Sequence, residues 1–123
     1  MPPKKKSIDV AAEKIDQYWD PHIIAEPNGQ HVRIAKLKGE FIWHSHQDAD
    51  EFFYILSGEL TIEFRDGSVK LAEGEIIVIP SGVEHRPVAE QETLVLLFEP
   101  ADTVNTGSVQ PNELTRSQLK KFD

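Results

Sequence analysis

The sequence contains no cysteine. Disulfides, thiolate metal sites, cysteine nucleophiles and cysteine-ligated iron–sulfur clusters are therefore excluded. It also lacks any apolar run approaching the roughly 18 residues that a membrane-spanning helix needs. Its basic start, MPPKKKSIDV, is not followed by the apolar segment of a secretory signal. We therefore expect a cytoplasmic protein with no membrane partner.

Basic residues are also scarce relative to acidic ones. There are 13 Lys and Arg against 21 Asp and Glu, which gives a formal net charge of −8. A nucleic-acid binder needs a basic surface to neutralise phosphates, so we expect no nucleic-acid partner. The hydrophobic content of 39% and the charged content of 28% are ordinary for a globular protein. A length of 123 residues fits one domain.

Short apolar runs separated by turn residues dominate the sequence after Pro21. The dipeptide Asn28-Gly29 lies between HIIAE and HVRIAKLKG, and Asp66-Gly67 lies between ELTIEF and SVKLAE. Such dipeptides between apolar runs predict β-hairpins. Further strands are expected in EIIVIP and TLVLLFEP, which brings the total to about eight or nine. The pattern predicts an all-β sandwich or small barrel.

Helical patterns are expected only near the two ends of the chain. Residues 1–6 are interpreted as disordered, after which Ser7 or Asp9 is expected to cap a short helix through VAAEKIDQYW that Pro21 stops. A polar tail of about residues 108–123 contains NELTRSQLKKF, where Asn112 is a plausible cap for a second short helix.

The stretch WHSHQDADEFFYILSG, residues 43–58, concentrates histidine and carboxylate side chains. If FIWHSH is a strand, its side chains alternate between faces, so His44 and His46 share one face. A turn at QDAD would then fold Glu51 back beside them. His85, which follows the turn Pro80-Ser81-Gly82, could supply a third imidazole.

Three neutral imidazoles and one carboxylate suit a borderline divalent ion, namely Fe, Mn, Ni, Cu, Co or Zn. Calcium and magnesium suit them less, because these ions prefer oxygen ligands. An octahedral ion with four protein ligands would keep two positions for water or substrate. We therefore predict one divalent transition metal per subunit, with these ligands: His44, His46, Glu51 and His85. The other two histidines, His22 and His31, lack such partners and are interpreted as surface strand positions.

The sequence resembles small single-domain cupins in two motifs. The first comprises Gly39, His44-Ser45-His46, Glu51 and Gly58, and the second is GEIIVIPSGVEH. Four residues separate Gly39 from His44, where the family pattern usually has five, and Ala89 stands where that pattern often has asparagine. The motifs cover residues 39–89. The resemblance implies a double-stranded β-helix, a jelly-roll barrel spanning residues 7–123, with the metal held inside.

Several expected strands are apolar on both faces. Phe41 and Trp43 would lie opposite the histidines, and Tyr54 would lie opposite Glu51. The outside of a barrel is usually polar, so an apolar outer surface needs a cover. We expect the N-terminal helix with Trp19 to cover part of it and a partner subunit to cover the rest. The resemblance to cupins also implies a homodimer.

Two functions fit these features. The first is a metalloenzyme acting on a small oxygenated molecule, as a dioxygenase or as an isomerase or lyase, with substrate at the open metal positions. No residue outside the ligand set reads as a general base, which favours chemistry by the metal itself. The alternative is a non-catalytic barrel that binds a metal or a small ligand. A storage protein is disfavoured because all four ligands are present. Cupins host many chemistries, so the resemblance alone does not decide.

Overall fold

Eight β-strands and one short α-helix make up the chain, which a computed structural model describes over residues 1–123. The helix is α1 (Ile8–Glu13). The strands are β1 (His22–Ala25), β2 (Gln30–Glu40), β3 (Glu51–Ser57), β4 (Leu60–Phe64), β5 (Gly67–Leu71), β6 (Ile76–Ile79), β7 (His85–Pro100) and β8 (Lys120–Lys121). The prediction of an all-β protein with a short N-terminal helix is confirmed. No helix is long and apolar enough to cross a membrane.

Strand β7 is the centre of the sheet. It pairs antiparallel with β2, β3 and β4 along different parts of its 16 residues. The strand order along the main path is β5-β4-β7-β2-β1-β8, while β6 pairs only with β3. The strands wrap around an apolar interior as a jelly roll, but the hydrogen-bonded sheet does not close on itself.

The interior contains two apolar clusters. The larger one lies between the wrapped strands and includes Ile55 and Val95, both fully buried. In β3, Glu51, Phe53 and Ile55 are buried while Tyr54 is exposed, so the two-residue alternation of a strand carries Glu51 to the inside. A smaller cluster packs α1 against the outside of β1 and β2.

Both predicted hairpins are present. Strands β1 and β2 are joined through a single 3₁₀ turn at Pro27–Gly29, in which Asn28 and Gly29 have φ angles of 55° and 73°. Positive φ at two successive residues is the conformation that Asn-Gly tolerates best. Strands β4 and β5 pair in register from Leu60↔Leu71 to Phe64↔Gly67.

The N-terminal helix begins as predicted but ends early. The Ser7 hydroxyl accepts a hydrogen bond from the Val10 N–H (3.2 Å), which caps the helix. The helix ends at Glu13, well before Pro21. Trp19 lies beyond the helix and belongs to the larger interior cluster, so the expectation that it covers the outside of the barrel is wrong.

The predicted C-terminal helix is wrong. Its sequence forms turns followed by β8, which pairs in parallel with β1. The side chain of Asn112 accepts a hydrogen bond from the Leu114 N–H at 2.8 Å and so closes a local turn. Asparagine bonds of this kind compete with helix formation.

The stretch FIWHSH is not a strand, contrary to prediction. Strand β2 ends at Glu40, and residues 41–50, termed the histidine loop, contain only an isolated bridge between His44 and His85. The β2–β7 register shifts between Leu37 and Gly39, where Gly39 has a φ of 87°. Beyond this irregularity Phe41 is buried on the same inner side as His44, not opposite it.

Candidate metal centre

Four buried side chains meet at one end of the interior. Each offers one ligand atom, and these atoms all lie within 4.8 Å of one another: His44, His46, Glu51 and His85. The ring of His44 lies 4.3 Å from that of His85 and 5.0 Å from that of His46, between centroids. One carboxylate oxygen of Glu51 contacts His46 Nε2, and the other lies 3.7 Å from His85 Nε2. The structure therefore brings together all four predicted ligands.

Backbone pairing, rather than strand alternation, places the histidines. His44 and His85 exchange two backbone N–H···O bonds of 3.0 and 2.9 Å. The Gly82 N–H donates to the His46 carbonyl at 2.8 Å. These bonds fasten the histidine loop to the start of β7, while Glu51 enters from the first position of β3. Two residues far apart in sequence thus lie side by side at the site.

The backbone also determines which ring nitrogens face the centre. His44 Nδ1 lies 2.9 Å from the Ile42 carbonyl, and His85 Nδ1 lies 2.9 Å from the Val83 carbonyl. A carbonyl oxygen only accepts, so Nδ1 carries the proton in both rings. The Nε2 atoms are therefore left as lone-pair donors when the rings are neutral, which is the arrangement that metal-binding histidines usually show.

The ionisation of the cluster favours a cation. Burial lowers the pKa of His44 to about 4, so this imidazole is neutral at pH 7. Burial acts against the charged form of Glu51, but hydrogen bonds and charge from His46 and His85 hold its pKa well below the usual range. Burial likewise acts against protonation of His46, yet the Glu51 carboxylate outweighs it and raises the His46 pKa. A metal ion would take the place of the His46 proton.

Two buried nitrogen atoms at the centre, His46 Nε2 and His85 Nε2, make no hydrogen bond of normal geometry, although Glu51 oxygens lie beside both. Buried polar atoms without a partner are rare in folded proteins, and an ion is one recognised reason for them. The donor set, three imidazoles and one carboxylate, fits Fe, Mn, Ni, Cu, Co or Zn. The residues present therefore fit a divalent transition metal.

Two cavities approach the cluster from different sides. The inner cavity, of about 40 Å³, reaches His44 and Glu51 and is lined mainly by apolar side chains, including Trp19, Phe41 and Phe53. The outer cavity, of about 330 Å³, reaches His46 and is lined largely by polar residues. A small molecule in the inner cavity would thus lie against the cluster in an apolar environment.

A buried ion pair beside the cluster was not predicted from the sequence. Arg33 Nη1 donates to Glu99 Oε1 at 2.7 Å, and both side chains are almost fully buried. Burial raises the pKa of Glu99 to about 7, the negative charge of Glu51 adds to this, and Arg33 opposes it. Glu99 lines the inner cavity. The only sequence signal is a charged residue at the end of the apolar run TLVLLFEP.

The C-terminal tail reaches the site, which the sequence also failed to indicate. The Ser108 N–H donates to the Ser45 carbonyl at 3.1 Å, and Gly107 lies against the same carbonyl. Asn105 lines the inner cavity. Its side chain donates to the Leu114 carbonyl and accepts from the Arg116 N–H, both at 2.8 Å. The tail is thereby folded back against the histidine loop.

The prediction that His22 and His31 are surface residues is wrong. Both are buried, with His22 Nε2 lying 3.3 Å from Asp20 and His31 Nδ1 accepting from Arg33. His31 lies on the buried side of the alternating start of β2, whereas β1 is buried at three successive positions that include His22. Neither belongs to the four-residue cluster.

A family model described as "Cupin domain" matches residues 30–99, more than half of the chain. The solved structure of a cupin-2 domain containing protein from Shewanella frigidimarina is 41% identical, with a TM-score of 0.76. The match covers 77% of this chain and 93% of that protein.

Two curated proteins extend the comparison. The uncharacterized protein YdbB of Bacillus subtilis is 35% identical over 97 residues, which cover 78% of this chain and 86% of YdbB. A 3-hydroxyanthranilate 3,4-dioxygenase of Brucella anthropi is 36% identical over 64 residues. That match covers 46% of this chain but only 35% of the dioxygenase.

Proposed function

This chain belongs to the cupin family, and on that premise we propose that it is a metal-dependent enzyme of the dioxygenase type acting on a small oxygenated molecule. The observation that carries the proposal is the buried cluster at the end of an apolar cavity, in which two Nε2 atoms beside Glu51 make no hydrogen bond of normal geometry. A binding site for a metal and a place for an organic molecule are then adjacent.

His44, His46, Glu51 and His85 would hold the metal. When bound, a redox-active ion such as iron would supply electron transfer to dioxygen and Lewis acidity toward the substrate. The carbonyls of Ile42 and Val83 keep the Nε2 atoms of His44 and His85 aimed at the centre. Trp19 and Phe41 stack at 4.8 Å in the wall of the inner cavity, where they exclude water and offer flat contact surfaces.

The identity with the Brucella anthropi 3-hydroxyanthranilate 3,4-dioxygenase supports oxygen chemistry over isomerase or lyase chemistry. This chain spans about a third of that relative, so the support concerns the type of reaction and not its substrate.

The test begins with metal analysis of protein purified without chelators or immobilised nickel. We expect about one equivalent of a redox-active metal per subunit and oxygen uptake in the presence of catechols. Metal without uptake for any small phenol, diketone or thiol would favour the alternative, a non-catalytic barrel that binds a small ligand. No retained metal after incubation with each of the six ions would contradict the proposal.

We also propose that the protein is a homodimer. Phe52, Tyr54, Ile76, Val78 and Phe98 are partly or largely exposed on the outer face of β3, β6 and β7, and they are called the outer patch below. Cross-strand pairing connects them, because Phe52 is paired with both Val78 and Phe98. A continuous apolar surface of this kind is typical of an interface. The expected cytoplasmic location stays a prediction.

A further inference from the structure

The hydrogen-bonding groups of the inner cavity are almost all satisfied within the chain. Trp19 Nε1 donates to the Lys38 carbonyl at 3.0 Å. Asn105 uses its amide nitrogen on Leu114 and its amide oxygen on Arg116. His44 and Glu51 belong to the metal cluster. Glu99 and the second N–H of Asn105 are then the polar groups of the lining that are left to contact a bound molecule.

Glu99 is held by one oxygen and free at the other. Its Oε1 accepts from Arg33 Nη1 at 2.7 Å, whereas Oε2 has no hydrogen-bond partner in the chain. The only fully enclosed side-chain atoms without a partner are the two histidine nitrogens at the metal cluster. Glu99 Oε2 therefore keeps some exposed surface, although the residue as a whole is only 4% exposed, and Glu99 lines the inner cavity.

Arg33 has no hydrogen-bonding capacity left for a ligand. Its Nε and Nη2 face His31 Nδ1, its Nη1 bonds Glu99 and the Thr103 carbonyl, and its Nη2 also bonds the Ala101 carbonyl. These contacts occupy all five guanidinium N–H groups. No lysine or arginine lines the inner cavity. A carboxylate or phosphate placed away from the metal would find no cation and would face a carboxylate.

We infer that the substrate is a small, uncharged molecule whose hydrogen-bond donor is accepted by Glu99 Oε2 while a flat apolar part contacts Trp19 and Phe41. This inference rests on the proposed function and specifies its substrate class. Glu99 acts as a substrate-binding residue, and Arg33 positions it. The same pair excludes molecules that carry an anionic group at the end remote from the metal.

Two probes of matched shape test this inference, 3,4-dihydroxybenzamide and 3,4-dihydroxybenzoate. Both present the same diol to a metal, and they differ in whether the far end is a neutral N–H donor or an anion. Titration calorimetry on the cobalt-loaded protein is carried out at about pH 8.5, above the Glu99 pKa of about 7, so that Glu99 is ionised. It should give at least about tenfold tighter binding of the amide, because like charges at short range repel. Equal or tighter binding of the benzoate to the wild-type protein would overturn the inference without any variant.

Glu99→Gln removes the charge but keeps an oxygen that can accept from Arg33. The amide-to-benzoate affinity ratio should fall toward one in this variant. It should be unchanged in Glu92→Gln, which removes an exposed carboxylate from the same strand. A ratio that is unaltered by Glu99→Gln would show that another group sets the selectivity.

The same pair of probes separates this inference from the proposed function. Quenching of tryptophan fluorescence reports binding in metal-free Trp43→Phe protein, where Trp19, which lines the cavity, is the remaining tryptophan. If the protein holds no metal but still prefers the amide, the proposed function fails and the assignment of Glu99 stands. If the protein holds metal and consumes oxygen but does not prefer the amide, the function stands and the assignment of Glu99 fails.

Discussion

At the scale of single residues, the candidate centre depends on hydrogen bonds that each ring makes away from it. Nδ1 of His44 donates to the carbonyl two residues earlier, and Nδ1 of His85 does the same. Each ring is fixed by its own backbone, so both Nε2 lone pairs are oriented before any ion arrives. Preorganisation of this kind lowers the cost of binding and favours one ring tautomer.

His46→Ala should abolish tight metal binding, because it removes one of three imidazoles and leaves Glu51 without its contact. We expect metal affinity to fall at least about 100-fold. Removing only a hydrogen bond that supports a metal ligand typically costs about 10- to 100-fold, and loss of the ligand itself should cost more. Metal per subunit, measured by elemental analysis after dialysis, checks this. His31→Ala is the control, since it removes a buried histidine outside the cluster. Metal retained in the first variant or lost in the second would show that the ligands are assigned wrongly.

Glu99 should make the metal-free protein less stable as pH rises. Its pKa is raised to about 7 in the folded chain, so between pH 4.5 and 7 the folded state binds more protons than the unfolded state. The stabilisation is fully present below this window and is lost across it. Relative to wild type, Glu99→Gln should gain roughly 3 kcal/mol between pH 4.5 and 8. Urea unfolding at several pH values measures this difference, and a constant difference would contradict the assigned pKa.

These residues also show what could be predicted from the sequence. The four members of the cluster stand out because two histidines and a glutamate lie close together in a motif. Glu99 and Arg33 do not stand out, because a charged residue in a strand is usually solvent-exposed. Only the register of β2 against β7 carries both inward, with His31 opposite Glu99. That register is a property of distant pairing, which no local pattern contains.

At the scale of elements, the hairpins were predictable and the loops were not. Asn28-Gly29 and Asp66-Gly67 encode their turns through backbone conformations that few other residues adopt. The histidine loop looked like a strand because its residues alternate, yet it is held by contacts with β7 and the C-terminal tail. The tail follows β7 through Pro100 and is anchored where Arg116 Nε lies 3.3 Å from the buried Asp20 carboxylate.

Gly107→Ala should weaken the metal centre by disturbing the contact between the C-terminal tail and the histidine loop. A methyl group at this position would collide with the Ser45 carbonyl, and the backbone has a φ of 61°. We expect the variant to lose about 2 kcal/mol of stability and to bind metal more weakly, because the collision displaces the residue next to His46. Thermal unfolding and metal titration measure the two effects.

Gly74→Ala is the matched control for this substitution. Its φ of 83° is also positive, but a methyl group there meets no atom within 4 Å. Gly74→Ala should lower the free energy of unfolding by only roughly 1 kcal/mol, because a residue with a side chain is strained at positive φ. It should leave metal affinity unchanged. Equal effects of the two variants would mean that the contact between the tail and the histidine loop does not support the site.

At the scale of the whole molecule, the two faces of the sheet have different roles. The inner face carries the cluster and the apolar cavity, while the outer face of β3, β6 and β7 carries the outer patch. Strand β6 pairs only with β3 and so leaves an edge beside that patch. Exposed edges next to apolar surface favour association with another chain. The five residues of the outer patch are uncharged, although the whole chain has a net charge of −8.

Replacing Ile76 and Val78 together by lysine should therefore convert the proposed dimer into a monomer. Both side chains are more than half exposed, so the substitutions leave the interior of each subunit intact. In an interface they would bury two charges without partners, a cost of several kcal/mol. Sedimentation velocity at micromolar concentration measures the change in mass. Val69→Lys is the control, because Val69 is comparably exposed on β5 outside the patch. A wild-type monomer, or a dimer that survives both patch substitutions, would show that another surface or none joins the subunits.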